Sequence, residues 1–262
     1  MRKATFVFAL FIVSSAFAED VTITSKVTKD GKTDTVTNYM TSERARFSQP
    51  DGGTFIVDFK TGDITIVNAK KQQYSVMTQK ELDDAAAQMK ETMESPEMKE
   101  AQERMKNLPP DVKAKMESMM GGMFKADVQK TGESRTIAGL RCEVWNVNIG
   151  TMSQSQQCLT QDVKFPPQAW DRFKKATDTM KTMAGAMGPM AKNMASMREE
   201  LAKAKGFPLA NTTTTSIMGN KSVSTTEVTS IKYGPVPANA FDIPAGYTKV
   251  DSPMKNMGKK RS

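Results

Sequence analysis

Residues 21–76 alternate apolar and polar side chains with a period of two, and turn residues interrupt the alternation at short intervals. Such a segment can fold only as a meander of strands with one face buried, because a helix would scatter its apolar side chains around its circumference. Val21-Thr22-Ile23-Thr24-Ser25-Lys26-Val27 alternates, Asp30-Gly31 is a hairpin turn signal, and residues 33–40 answer as the return strand. Residues 55–59 and 64–67 flank Thr61-Gly62-Asp63 as a second hairpin, and Tyr74-Ser75-Val76-Met77 is a further short strand. The strand pattern resumes from Phe124 to about Val163 and again over 209–233, with Gly219-Asn220 as the turn of a last hairpin. Residues 233–247, rich in proline, read as an extended closure anchored by Phe241, Ile243 and Tyr247.

Two helical stretches separate these blocks. Thr78 with Glu81 three residues later is a capping-box signature, and Leu82, Ala85, Ala86, Met89 and Met93 follow at helical spacing. Pro96 restarts the helix, and Pro109-Pro110-Asp111 starts another that ends at Gly121-Gly122. Pro166-Pro167 opens a second stretch that runs to Lys205. The chain has 21 methionines. Met180, Met183, Met187, Met190, Met194 and Met197 step by three and four along the second stretch, and the first carries two pairs at a spacing of four, Met89 with Met93 and Met116 with Met120.

Three readings of these stripes stay open. They are the core faces of amphipathic helices; or the wall of a cavity, formed by Met89, Met93, Met116, Met120, Met183, Met187, Met190 and Met194, whose flexible thioethers adapt to an apolar ligand; or a copper(I) site using Met180, Met183, Met187, Met190, Met194 and Met197, since thioether sulfur is a soft ligand. Gly185 and Gly188-Pro189 interrupt the second stripe. A glycine costs about 1 kcal/mol and an interior proline about 3 kcal/mol relative to alanine, so the composition predicts a break near Gly188 and an element that can move as a lid.

Cys142 and Cys158 are the only cysteines, and they lie on the two strand-like arms around Gly150-Thr151-Met152-Ser153. A hairpin centred on Gly150 sets them opposite each other, so the expectation is a structural disulfide. There is no histidine, which removes Ser-His-Asp and Cys-His catalysis. No G-x-S-x-G elbow, P-loop or dinucleotide fingerprint occurs. The acidic side chains of the helical stretches, such as Asp83, Asp84, Glu91 and Glu94, read as a solvated face. The expectation is a protein that binds without catalysis and without a cofactor.

Met1-Arg2-Lys3, the apolar run 4–13 and Ala16-Phe17-Ala18 have the layout of a cleavable signal peptide over 1–18. The apolar run is short of the roughly 20 residues needed to span a bilayer. The expectation is a periplasmic protein cleaved near Ala18. Removal of Arg2 and Lys3 lowers the net charge of +8 by two. Residues 251–262 read as a disordered basic tail, with an anionic membrane surface as its candidate partner. Nucleic acid is not expected, since basic and aromatic residues do not interleave.

Several motifs carry a resemblance: Tyr74-Ser75-Val76-Met77 before a helix, residues 138–145 (Ala-Gly-Leu-Arg-Cys-Glu-Val-Trp), and Phe241-Asp242-Ile243-Pro244-Ala245-Gly246-Tyr247. With them the chain resembles a family of uncharacterised exported bacterial proteins, a domain of unknown function. Its layout is similar to the periplasmic lipoprotein-carrier fold, in which a half-open barrel covered by helices holds acyl chains. The resemblance implies lipid carriage. The expected fold is therefore α+β: one domain over 19–250, a strongly curved antiparallel sheet (a half-barrel) covered on its inner face by Met-rich helices inserted near 78–122 and 166–205. Its expected ligand is an apolar or lipid-like small molecule. A structural or interaction module is the remaining alternative.

Overall fold

A computed structural model describes residues 20–112, 125–150, 152–166, 169, 189–217 and 220–256. The first block is a meander of six strands: β1 (Val21–Lys29), β2 (Lys32–Met40), β3 (Arg44–Ser48), β4 (Gly53–Asp58), β5 (Ile64–Asn68) and β6 (Gln73–Met77). Asp30 and Gly31 both take positive φ, 49° and 78°, as a two-residue hairpin turn requires. Strand β3 was not legible in the sequence. It is held by pairing with β2 through Tyr39 and Met40 and with all five residues opposite on β4.

Helix α1 (Gln79–Glu94) starts where expected. The Thr78 hydroxyl accepts from the Glu81 N–H at 3.2 Å, and the Glu81 carboxylate accepts from the Thr78 N–H at 2.9 Å. Helix α2 (Pro96–Lys106) follows directly. The expected cover of the sheet is not seen in this stretch. No described side chain of α1 or α2 is buried, and α1 packs on α2 and on a 3-10 turn, Pro253–Asn256. The start of the expected disordered tail is thus ordered: Ser252 is buried, and Lys255 pairs with Asp251 at 2.8 Å.

The second block comprises β7 (Ala126–Ile137), β8 (Leu140–Ile149), β9 (Ser153–Thr160), β10 (Phe207–Ile217) and β11 (Asn220–Tyr233), with helix α3 (Pro189–Leu201) between β9 and β10, lying beside β7. A two-residue strand, β12 (Thr248–Lys249), runs parallel to β6. All twelve strands form one open, curved sheet in the order β12-β6-β5-β4-β3-β2-β1-β11-β10-β9-β8-β7. β1 is the seam: each of its nine residues pairs with β2 on one side and β11 on the other. The strands before and after the helical stretches therefore share one sheet. Irregular registers at Thr24/Ser25 and at Pro208/Ala210 bend it there.

The disulfide is present, with Cα atoms 5.3 Å apart. Its hairpin is centred one residue later than the sequence suggests. Ile149 pairs with Ser153 and Val144 with Cys158, so the two cysteines are diagonal neighbours, offset by two residues. In the last hairpin Asn220, expected in the turn, instead begins β11 and pairs with Ile217. The main core gathers around the disulfide, with Val21, Ile23, Val144, Leu209 and Val228 buried against it.

Candidate functional site

After β9 the chain does not enter a helix at once. Residues 161–166 and Ala169 cross the sheet as a strap from the end of β9 toward β3. The strap is apolar where it meets the strands: Val163 joins the disulfide core, and Ala169 is buried against Ala45 and Phe59. Two polar and aromatic contacts fix its course. The Lys164 N–H donates to the Tyr233 hydroxyl at 3.1 Å, and the rings of Phe165 and Phe207 meet edge to face at 5.4 Å.

Between strap and sheet lies a cleft of about 360 Å³. Its floor is Val21 and Ile23 of β1, Met40 of β2 and Phe47 of β3, and its roof is Val163, Phe165 and Ala169. Asn38 also borders it, with its side-chain oxygen occupied by the Ser48 N–H at 2.8 Å. Among the described residues that border the cleft, only Tyr39 is of an ionisable type. It offers apolar surface and a few polar atoms, the composition of a small-molecule site.

The other limb of the same excursion returns to this cleft. Gly206 and Phe207 line it next to Thr160 and Gln161. Gly206 has φ of +129°, and a side-chain carbon there would sit 2.6 Å from the Thr160 carbonyl oxygen. Only glycine permits the two limbs to approach so closely. Ala169 and Gly206, the residues on either side of 170–205, thus both line the cleft.

None of the methionines expected to form the cavity wall has a side chain among those described. Met116, Met120, Met180, Met183 and Met187 lie outside the described residues, as does the break expected near Gly188. Met89 and Met93 fall on α1, and Met190 and Met194 on α3, but their side chains are not among those described. Met197 of α3 is half-buried. Met40, on a strand and outside either stripe, is the methionine in the cleft. Sequence reasoning missed the strap and the aromatic residues Phe47, Phe165 and Phe207. The signal was Val163-Lys164-Phe165 held between Cys158 and Pro166, an apolar segment too short for a helix. Among the described residues no three Cys, Asp or Glu side chains converge as metal ligands, and no helix is long and apolar enough to cross a membrane.

An open, curved, disulfide-pinned antiparallel sheet with a strapped apolar cleft defines a β-rich protein built around a small hydrophobic compartment. The chain belongs to the family of a domain of unknown function, DUF4412, whose model matches residues 97–247. The motifs at 138–145 and 241–247 that carry the sequence resemblance both lie within that span.

Among solved structures, the chain is similar to an uncharacterized conserved protein from Thermus thermophilus, at 6% identity and TM-score 0.42, over 90% of this chain and 91% of that one. It is similar to PNGF-II at 10% identity and TM-score 0.37, over 90% of this chain, which spans 31% of that protein's length. A putative outer membrane lipoprotein-sorting protein domain from Vibrio parahaemolyticus is similar at 8% identity and TM-score 0.23, over 86% of this chain and 89% of that one. No curated protein sequence matches the chain.

Proposed function

We propose that this protein is a non-enzymatic binding protein of the periplasm that holds an apolar or lipid-like molecule in the cleft beneath the strap. The observation that carries the reading is the cleft itself: about 360 Å³, walled by Val21, Ile23, Met40, Phe47, Phe165 and Phe207, with no acidic or basic side chain among the described residues that line it. An apolar wall without charge favours an apolar occupant, because any polar group brought in would lose its hydration without a partner. The Cys142–Cys158 bridge supports work in an oxidising compartment.

In this reading Met183, Met187, Met190 and Met194 complete the cover, since the excursion that bears them starts and ends at the cleft rim. Their three rotatable bonds let the cover adapt to chains of different shape. The open side of the cleft would admit a chain that extends toward the helices.

Titration of the mature protein with N-phenylnaphthylamine, a dye that fluoresces in apolar surroundings, tests the proposal. Saturable binding is expected, weakened about tenfold or more (~1.4 kcal/mol) by Phe47→Asp. Absence of saturable binding, or equal binding by the variant, would contradict it.

A further inference from the structure

The opposite face of β2 and β3 carries a second hollow, of about 540 Å³, which the proposed function leaves unused. Side chains alternate along a strand, so while Asn38, Met40 and Phe47 face the apolar cleft, Thr37, Arg46 and Ser48 face this one. Its floor is hydroxyl-rich, with Thr35, Thr37, Ser48 and Thr54 on neighbouring strands. Its cover is the closing segment, which contributes Asn239, Ala240, Asp242 and Tyr247. That segment is clasped at both ends by backbone hydrogen bonds, from the Gly234 N–H to the Asp20 carbonyl at 2.9 Å and from the Thr248 N–H to the Gln72 carbonyl at 2.9 Å.

Arg46 is the cation of this hollow. Its Nη1 donates to the Ala240 carbonyl at 2.8 Å, which holds the guanidinium under the cover. Its Nε is buried and finds no acceptor among the described protein groups. Arg46 also forms no ion pair among the described residues, although Asp242 lines the same hollow, whereas Arg44 two residues earlier pairs with Asp58 at 3.4 Å. A fixed guanidinium with spare donors matches the planar oxygens of a carboxylate or phosphate. The surrounding hydroxyls match a polar, hydroxylated body better than an acyl chain.

We propose that this hollow is a second binding site, for a small hydroxylated molecule bearing an oxyanion. Arg46 grips the anionic group, and Thr37 and Ser48 hydrogen-bond the remainder. The sheet lies between this site and the apolar cleft, and Tyr39 borders both.

Calorimetric titration of the mature protein with glycerol 3-phosphate, galacturonate and neutral galactose tests it. One or both anionic probes bind and galactose does not; which one binds separates phosphate from carboxylate. Arg46→Met lowers the affinity at least tenfold, while N-phenylnaphthylamine fluorescence stays at the wild-type level whether or not the cleft takes the dye. Because Arg46 also supports Ala240, Ser48→Ala and Thr37→Val provide a second arm; each weakens binding, and Thr37→Val does so without loss of the bond that the Ser48 hydroxyl donates to the Thr37 carbonyl at 3.1 Å. The proposal is overturned if neither anion binds, if galactose binds equally well, or if affinity survives Arg46→Met or both of the other substitutions.

Discussion

At the residue scale, the disulfide is the centre of the molecule as well as a crosslink. Cys142 and Cys158 are 1% and 2% exposed and belong to the core formed with Val21, Ile23 and Leu209. Closing a loop of this length is worth about 3 kcal/mol in the chain-entropy model, and loss of buried sulfur packing adds to it. Cys142→Ala with Cys158→Ala is therefore expected to lower the unfolding free energy by about 3 kcal/mol or more, measured by urea denaturation against the oxidised protein. A smaller loss, of less than about 1 kcal/mol, would mean that the bridge sits outside the cooperative core. The pairing of the cysteines was legible because both flank one turn. Their diagonal offset was not, because the last pair before the turn, Ile149 with Ser153, sets a centre that Gly150 alone does not mark.

At the element scale, the clearest local device is the cap of α1. The Thr78 backbone N–H holds the Glu81 carboxyl below the usual range. Slight desolvation works against this, and the Ser252 and Thr78 side chains and the Lys255 charge reinforce it. A lowered carboxylate pKa contributes stability that is present above the unfolded-state value and is lost as pH falls through the folded one. Thermal stability should thus fall more steeply on acidification from about pH 6 to about pH 3 in the wild type than in Glu81→Gln. Equal slopes would show that the cap is not coupled to folding. Thr78→Ala should cost about 1 kcal/mol. The cap was readable from Thr78 and Glu81 alone because it is built from neighbours in sequence. β3 was not readable, since Arg44-Ala45-Arg46-Phe47-Ser48 carries two like charges in a short run and becomes a strand only between β2 and β4. The strap was hidden for a related reason: its conformation is set by a sheet face to which β1, far away in the chain, contributes Val21 and Ile23.

At the scale of the whole molecule, the pairing of β1 with β11 turns two meanders into one sheet and sets Gly206 and Phe207 beside Val21 and Ile23 at the cleft. The hairpins β1-β2, β4-β5 and β8-β9 followed from turn signals, whereas the seam between the meanders, an association of the first strand with the eleventh, has no local signature. The two faces of β2 and β3 then carry different chemistry, apolar on the side of Phe47 and polar on the side of Arg46. The central claim is that the strapped side holds an apolar molecule. Native mass spectrometry of the protein purified from the periplasm tests it most directly. The account predicts an adduct of lipid-like mass that Phe47→Asp removes; a bare protein, a copper adduct in its place, or an adduct that survives Phe47→Asp would contradict it.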